Sequence, residues 1–120
     1  MELRLIQPGE PICSIHELPD NTSVKFRILE DGHAMEAFLI RFAGRYYAYK
    51  NRCAHMSLTL DLDDNDFFTI DYQALICKTH GAIYSPESGI CFAGPCYGEA
   101  LEPLPVQLRE GQVILVENGA

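Results

Sequence analysis

Apolar and polar residues alternate along much of this chain with the two-residue period of a half-buried strand. Val24-Lys25-Phe26-Arg27-Ile28 is the clearest such stretch. Two strand-like runs, Ala37 to Phe42 and Tyr46 to Tyr49, meet around Gly44 and predict a hairpin. Phe67 to Ile70 and Ala74 to Cys77 predict a second pair. Val106-Gln107-Leu108 and Val113-Ile114-Leu115-Val116 flank Arg109-Glu110-Gly111-Gln112 and predict a third hairpin. A short helical turn is expected near Ser14 to Leu18 or just after His55, and no long amphipathic helix. Short strands punctuated by Gly and Pro predict an all-β sandwich or small barrel. No repeat, low-complexity tract or linker interrupts the pattern, so residues 1–120 are expected to form one domain.

Composition narrows the class. The chain is 48% apolar and 22% charged, which suits a globular domain and argues against disorder. It has no run of about 18 apolar residues, so no membrane span is expected. The opening residues carry neither an apolar signal core nor a twin-arginine pair, and a cytoplasmic location is the simplest expectation. A net charge of −8 disfavours nucleic acid as a partner. It would attract a basic patch on another protein, or serve solubility alone. The five cysteines, Cys13, Cys53, Cys77, Cys91 and Cys96, are odd in number and unevenly spaced. In a reducing compartment that points to metal or redox use.

Two segments carry the candidate chemistry: Asn51-Arg52-Cys53-Ala54-His55-Met56 and Cys77-Lys78-Thr79-His80-Gly81. Each offers one thiolate and one imidazole. The 21 residues between His55 and Cys77 allow a strand to leave and return, so the two loops can meet. Cys-x-His and Cys-x-x-His are too tightly spaced for a helix to turn both ligands onto one metal. Strand-end loops can do so, or can split the ligands over two irons, as in a centre where two Cys hold one iron and two His the other. Zinc also accepts two Cys and two His, although it gives no reason for Gly81 or for Gly94-Pro95 downstream. Loss of any cluster in a relic domain is a further alternative, against which all four ligands stand intact.

These motifs resemble those of the Rieske-type [2Fe–2S] ferredoxin family. Tyr46 to His55 is similar to the family's strand and first ligand loop, and Cys77 to Tyr84 to its second. Ser88-Gly89-Ile90-Cys91 is similar to the turn that follows, Gly94-Pro95 to its proline loop, and Leu104-Pro105-Val106 with the last hairpin to its closing strands. The resemblance covers roughly residues 37–116. It implies stacked antiparallel sheets with an inserted cluster-binding subdomain at about residues 50–97. It implies one [2Fe–2S] cluster per chain, held by Cys53, His55, Cys77 and His80, with both histidines nearest solvent at the tip. The segment 56–76 is a few residues longer than is usual for simple Rieske ferredoxins. High-potential Rieske proteins join their two loops by a disulfide; the matching positions here are Leu58 and Thr79, which cannot form one. Those proteins also carry a serine where this chain has Ala82, and share a tyrosine that matches Tyr84. The resemblance is thus to the ferredoxin branch.

The implied role is that of a soluble one-electron carrier between a reductase and a terminal oxygenase, docking at the tip with His55 and His80, and not an enzyme itself. An oxygenase needs a further iron site, and only His16 and His33 remain beyond the two ligand histidines. A small Rieske subunit of a reductase complex, such as a nitrite reductase small subunit, is the alternative, with a redox sensor behind it. Cys91 and Cys96 are expected to be small buried thiols, with a disulfide or redox pair as the rival. Cys13 is expected in the core, and His16 and His33 at the surface or in caps. Tyr84 is either a core aromatic only or a donor to a cluster sulfur, which would raise the potential. Met56 and Pro95 are expected to shield the cluster. Asp61-Leu62-Asp63-Asp64-Asn65-Asp66 lacks the Gly and terminal Glu of a calcium loop and is expected to be a solvated loop.

Overall fold

In the computed structural model, which describes residues 3–54 and 58–117, three two-residue turns set an antiparallel frame. Asp31-Gly32 has φ of 50° and 79°, and Ala43-Gly44 and Glu110-Gly111 repeat the left-handed pair. Such turns match the right-handed twist of the strands they join. The first joins β2 (Thr22–Glu30) to β3 (His33–Phe42), and the second joins β3 to β4 (Arg45–Lys50). With β8 (Pro103–Leu104) these form a sheet of order β2-β3-β4-β8. The third turn joins β9 (Val106–Arg109) to β10 (Gln112–Leu115), and β1 (Pro11–Ser14) completes the sheet β1-β10-β9. The chain between β4 and β8 builds a third, smaller sheet from β5 (Leu75–Ile76), β6 (Ile83–Tyr84) and β7 (Cys91–Ala93). The fold is therefore all-β, with the ligand motifs in an insertion between two strands of the larger sheet.

The centre of β3 shows how two cores arise from one strand. Ala37, Phe38, Leu39 and Ile40 are all fully buried. Successive side chains point to opposite faces. Phe38 and Ile40 join a core with Tyr49, Phe67, Leu75 and Tyr84. Ala37 and Leu39 join a separate core with Ile12, Phe26, Val113 and Leu115. The four-stranded sheet thus lies between the small sheet on one side and β1-β10-β9 on the other.

The three predicted hairpins are present in differing degrees. Those around Gly44 and Gly111 form as expected. The strands β2 and β3 run further than the alternation at Val24–Ile28 suggests, because Asp31-Gly32 closes them into a long ribbon. The 67–70 and 74–77 pair shrinks to a bridge between Phe68 and Leu75, with Thr69 N–H donating to Ala74 O at 2.8 Å. Ile70 is 99% exposed beyond it, so that end of the run has nothing to pack against. The helical turn forms as a 3-10 turn over Ile15–Glu17, capped reciprocally by Ser14 and Glu17. The alternative position just after His55 lies outside the described residues. No helix of the described residues is long and apolar enough to cross a membrane.

Candidate metal centre

The first ligand loop leaves β4 at Asn51, a buried polar residue that fixes where the loop starts. Its backbone N–H donates to Glu36 O at 2.9 Å. Its side-chain amide donates to Glu36 Oε1 and Asp61 Oδ1, both at 3.1 Å, and its Oδ1 accepts from Leu60 N at 2.9 Å. Cys53 N–H then donates to Leu58 O at 2.7 Å and closes the loop. Asp61 is fully buried and also accepts from Lys25 Nζ at 3.1 Å and from Asn65 N at 3.0 Å.

The acidic stretch is therefore not a merely solvated loop, as its composition suggests. Asp61 is an interior brace, and Asp64 and Asp66 accept from Lys78 Nζ at 2.8 and 3.2 Å. Burial acts to lower the Lys25 pKa. Its bonds to Glu36, Asp61 and Asp63 outweigh that and hold it above the ordinary lysine range. The Lys78 bond likewise holds the Asp64 carboxyl below its usual value.

The second ligand loop follows β5. Cys77 N–H donates to Ala82 O at 2.8 Å, and Gly81 N–H to Cys77 O at 2.7 Å. Lys78 N–H donates to Leu60 O at 2.9 Å and ties the two loops together. The proline loop lies directly on this turn. Gly94 has φ of 98°, and a Cβ there would stand 2.9 Å from Ala82 Cα and 3.1 Å from Gly81 O. Only glycine allows that approach of backbone to backbone.

This framework brings Cys53, Cys77 and His80 together, with one ligand atom of each lying within 4.8 Å of the others. Cys77 Sγ is 3.7 Å from His80 Nδ1. Both sulfurs are buried and His80 is half-buried. His55, the fourth expected ligand, and Met56 lie outside the described residues. Burial pushes the Cys77 thiol up, while N–H groups of His80 and Thr79 aimed at its sulfur favour the thiolate, and the Cys53 sulfur beside it disfavours it. Two sulfurs and an imidazole nitrogen converging in this way fit an iron–sulfur group; Pro95, expected to shield it, is exposed.

Tyr84 is a core aromatic whose hydroxyl also reaches a sulfur of the candidate site. It is fully buried in the core that includes Cys53 and Cys77, and its Oη is 3.2 Å from Cys53 Sγ. Ala54 N–H donates to the same oxygen at 3.1 Å. Burial, then the Cys53 and Cys96 sulfurs, push its hydroxyl far above the usual range, so the proton stays on the oxygen. Cys91 and Cys96 are buried thiols and form no disulfide; Cys13 is buried too. His16 and His33 are exposed and belong to no ligand cluster among the described residues. Sequence reading missed Asn51 and Asp61 as anchors, and the 3.2 Å contact between Tyr84 Oη and Cys96 Sγ. No local pattern marks any of them.

Residues 10–114 match the model of the Rieske [2Fe-2S] domain family. The chain is similar to the ferredoxin component of an alkene monooxygenase system from Xanthobacter autotrophicus (strain Py2), with 30% identity over 87% of this chain and 77% of that protein. In fold it is similar to the ferredoxin of carbazole 1,9a-dioxygenase from Nocardioides aromaticivorans IC177, with TM-score 0.70 and 19% identity over 93% of this chain and all of that one. It is also similar to the terminal oxygenase of carbazole 1,9a-dioxygenase from Novosphingobium sp. KA1, with TM-score 0.73 and 22% identity over 99% of this chain but only 31% of that one. The shared fold thus serves carriers and oxygenases alike. The sequence match over most of a ferredoxin component separates them, and the chain belongs to the Rieske [2Fe–2S] family as an electron-transfer protein of the ferredoxin type.

Proposed function

We propose that this protein carries single electrons from a reductase to a terminal oxygenase, with Cys53, Cys77, His55 and His80 holding its [2Fe–2S] cluster. The convergence of Cys53, Cys77 and His80 within 4.8 Å in a chain of this family carries the reading. Bound there, the cluster would accept and give up one electron, at a potential raised by neutral imidazole ligands relative to four thiolates.

The chain's own residues supply the setting. Cys53 and Cys77 sit in the interior, whereas His80 is half-buried. We assign the partner-docking surface to the tip bearing His55 and His80, where electron transfer has the shortest path. With Cys53 as a thiolate ligand, Tyr84 would donate its hydroxyl proton to Cys53 Sγ, 3.2 Å away. Asn51, Asp61 and Lys25 hold the first loop at fixed height above the sheet. Residues 50–97 act as the cluster-binding lobe of a single domain, and the protein works in the cytoplasm.

The reading is tested by purifying the protein under iron-replete conditions. Two irons and two acid-labile sulfides per chain are expected, with reduction by a flavin reductase and reoxidation only when a terminal oxygenase turns over. Stoichiometric zinc with no visible absorbance would overturn the cluster. A tightly co-purifying large reductase subunit would overturn the carrier role.

A further inference from the structure

We propose that Cys96 is a positioning residue for the cluster: its S–H donates to Tyr84 Oη, so that the tyrosine O–H is aimed at Cys53 Sγ. The inference rests on Cys53 being an iron ligand, as proposed above.

A tyrosine hydroxyl has one proton to give and two lone pairs to receive. Tyr84 Oη has three polar neighbours: Ala54 N at 3.1 Å, Cys53 Sγ at 3.2 Å and Cys96 Sγ at 3.2 Å. Ala54 N–H can only donate. Cys53 as a thiolate can only accept. Cys96, a thiol in the interior, can do either. Two assignments of the tyrosine proton follow. If it points at Cys96, the thiolate of Cys53 loses this one donor. If it points at Cys53, both lone pairs are filled, one by Ala54 N–H and the other by Cys96 S–H. Charge decides between them, because a hydrogen bond to an ionised acceptor is roughly twice as strong as one between neutral groups.

The second thiol of the loop does not compete. Cys91 Sγ donates to Ala93 O at 3.1 Å, so its proton is already committed. The Cys91 sulfur also lies beside Cys96, but a thiol sulfur is a weaker acceptor than a phenolic oxygen, which favours Tyr84 Oη as the acceptor of the Cys96 proton. Burial pushes the Cys96 thiol up to about 11, which keeps that proton in place at neutral pH.

Nor is the contact an accident of a loose loop. Cys96 follows Gly94, whose backbone rests on Ala82 in the second ligand loop. Glu99 N–H donates to Cys96 O at 2.8 Å, and Gly98 N–H to Cys91 O at 2.9 Å. The proline loop thereby holds Cys96 against the Tyr84 hydroxyl. A donor on a hydroxyl oxygen strengthens that hydroxyl as a donor in turn. The relay from Cys96 through Tyr84 to Cys53 therefore favours the reduced, more negative cluster.

The test is a double-mutant cycle on the midpoint potential of the holoprotein, using Cys96→Ala, Tyr84→Phe and both together. Cys96→Ala should lower the potential by part of the drop seen in Tyr84→Phe. The double variant should match Tyr84→Phe alone, because Cys96 acts only through the hydroxyl. Cys96→Ser, which keeps a donor, should restore most of the potential. An unchanged potential in Cys96→Ala, or a drop that adds in full to that of Tyr84→Phe, would overturn the proposal. The infrared S–H stretch of Cys96 in the holoprotein, assigned by its disappearance in Cys96→Ser, is a readout independent of the potential. It should lie lower in the parent protein than in Tyr84→Phe, and equal frequencies would overturn the donor assignment. Failure of the ligand reading is separable: Cys53→Ser would then retain iron and sulfide whatever the S–H band does.

Discussion

The two faces of the central sheet are built from the same strands and do different work. Toward β1-β10-β9, Leu39 and Ala37 pack with Ile12, Phe26, Ile28 and Val113, a core of ordinary apolar side chains. Toward the small sheet, Phe38 stacks on Phe67 with ring centres 4.0 Å apart, and the core continues into Cys53, Cys77, Cys91, Cys96 and the hydroxyl-bearing Tyr84. One face buries almost entirely apolar side chains. The other buries groups that need hydrogen bonds or a metal, and it gets those bonds from loops: Asn51 and Asp61 below the first ligand loop, Ala54 and Cys96 around Tyr84. A fold can thus keep a reactive centre dry by giving it one side of a sheet and leaving stability to the other.

That division can be broken most sharply at the ligands. Cys77→Ser or His80→Ala should abolish or severely deplete bound iron, as should Cys53→Ser and His55→Ala. Cys13→Ser, on the other face, should leave iron content unchanged. Iron analysis with the visible spectrum checks both arms, and iron loss in Cys13→Ser would show that the faces are not separable.

Leu39→Ala is the converse experiment. Leu39 is fully buried. Its truncation should cost about 2–5 kcal/mol by denaturant unfolding. The midpoint potential of the folded protein should stay at the parent value, and a changed potential would mean that the sheet transmits packing from one face to the other.

Lys25 reaches the brace beneath the first ligand loop from β2. Lys25→Met leaves the Asp61 carboxylate buried without its cation, which should cost about 3 kcal/mol. Cluster release on dilution into chelator should also quicken, because Asp61 orders the loop through Asn51. The sign of the pH dependence follows from the raised Lys25 pKa. The contribution is fully present below the ordinary lysine range and is lost only as pH climbs through the still higher folded value. A parent protein that loses this difference from Lys25→Met by neutral pH would contradict the pairing.

The smallest effect sharpens the comparison rather than breaking it. Tyr84→Phe removes the donor to Cys53 Sγ and destabilises the reduced state. A hydrogen bond worth about 1 kcal/mol corresponds to roughly 43 mV for one electron. Voltammetry should show a fall of tens of mV with iron content unchanged; no shift would leave Tyr84 as packing alone.

The ligand motifs were legible because each is local: three or four residues fix the chemistry of a loop, and alternation fixes the strands that carry it. The hairpins at Gly44 and Gly111 were legible for the same reason. The brace was not. Asp61 lies in a run of acids that reads as solvated, and its partners Lys25 and Asn51 stand 36 and 10 residues away. The strands β5, β6 and β8 are two residues long and β7 is three, too short for any period to show. The pairing of Tyr84 with Cys96 depends on how the proline loop folds back over β6, which no pattern in Gly94-Pro95-Cys96 encodes.

Pulsed electron paramagnetic resonance on the reduced protein tests the central claim most directly. Two thiolates and two imidazoles on one [2Fe–2S] cluster predict a rhombic signal of low average g, with couplings to two histidine nitrogens that vanish one at a time in His55→Ala and His80→Ala wherever those variants retain a cluster. A signal without nitrogen coupling, or no paramagnetic cluster in protein made with ample iron, would contradict the assignment of Cys53, His55, Cys77 and His80.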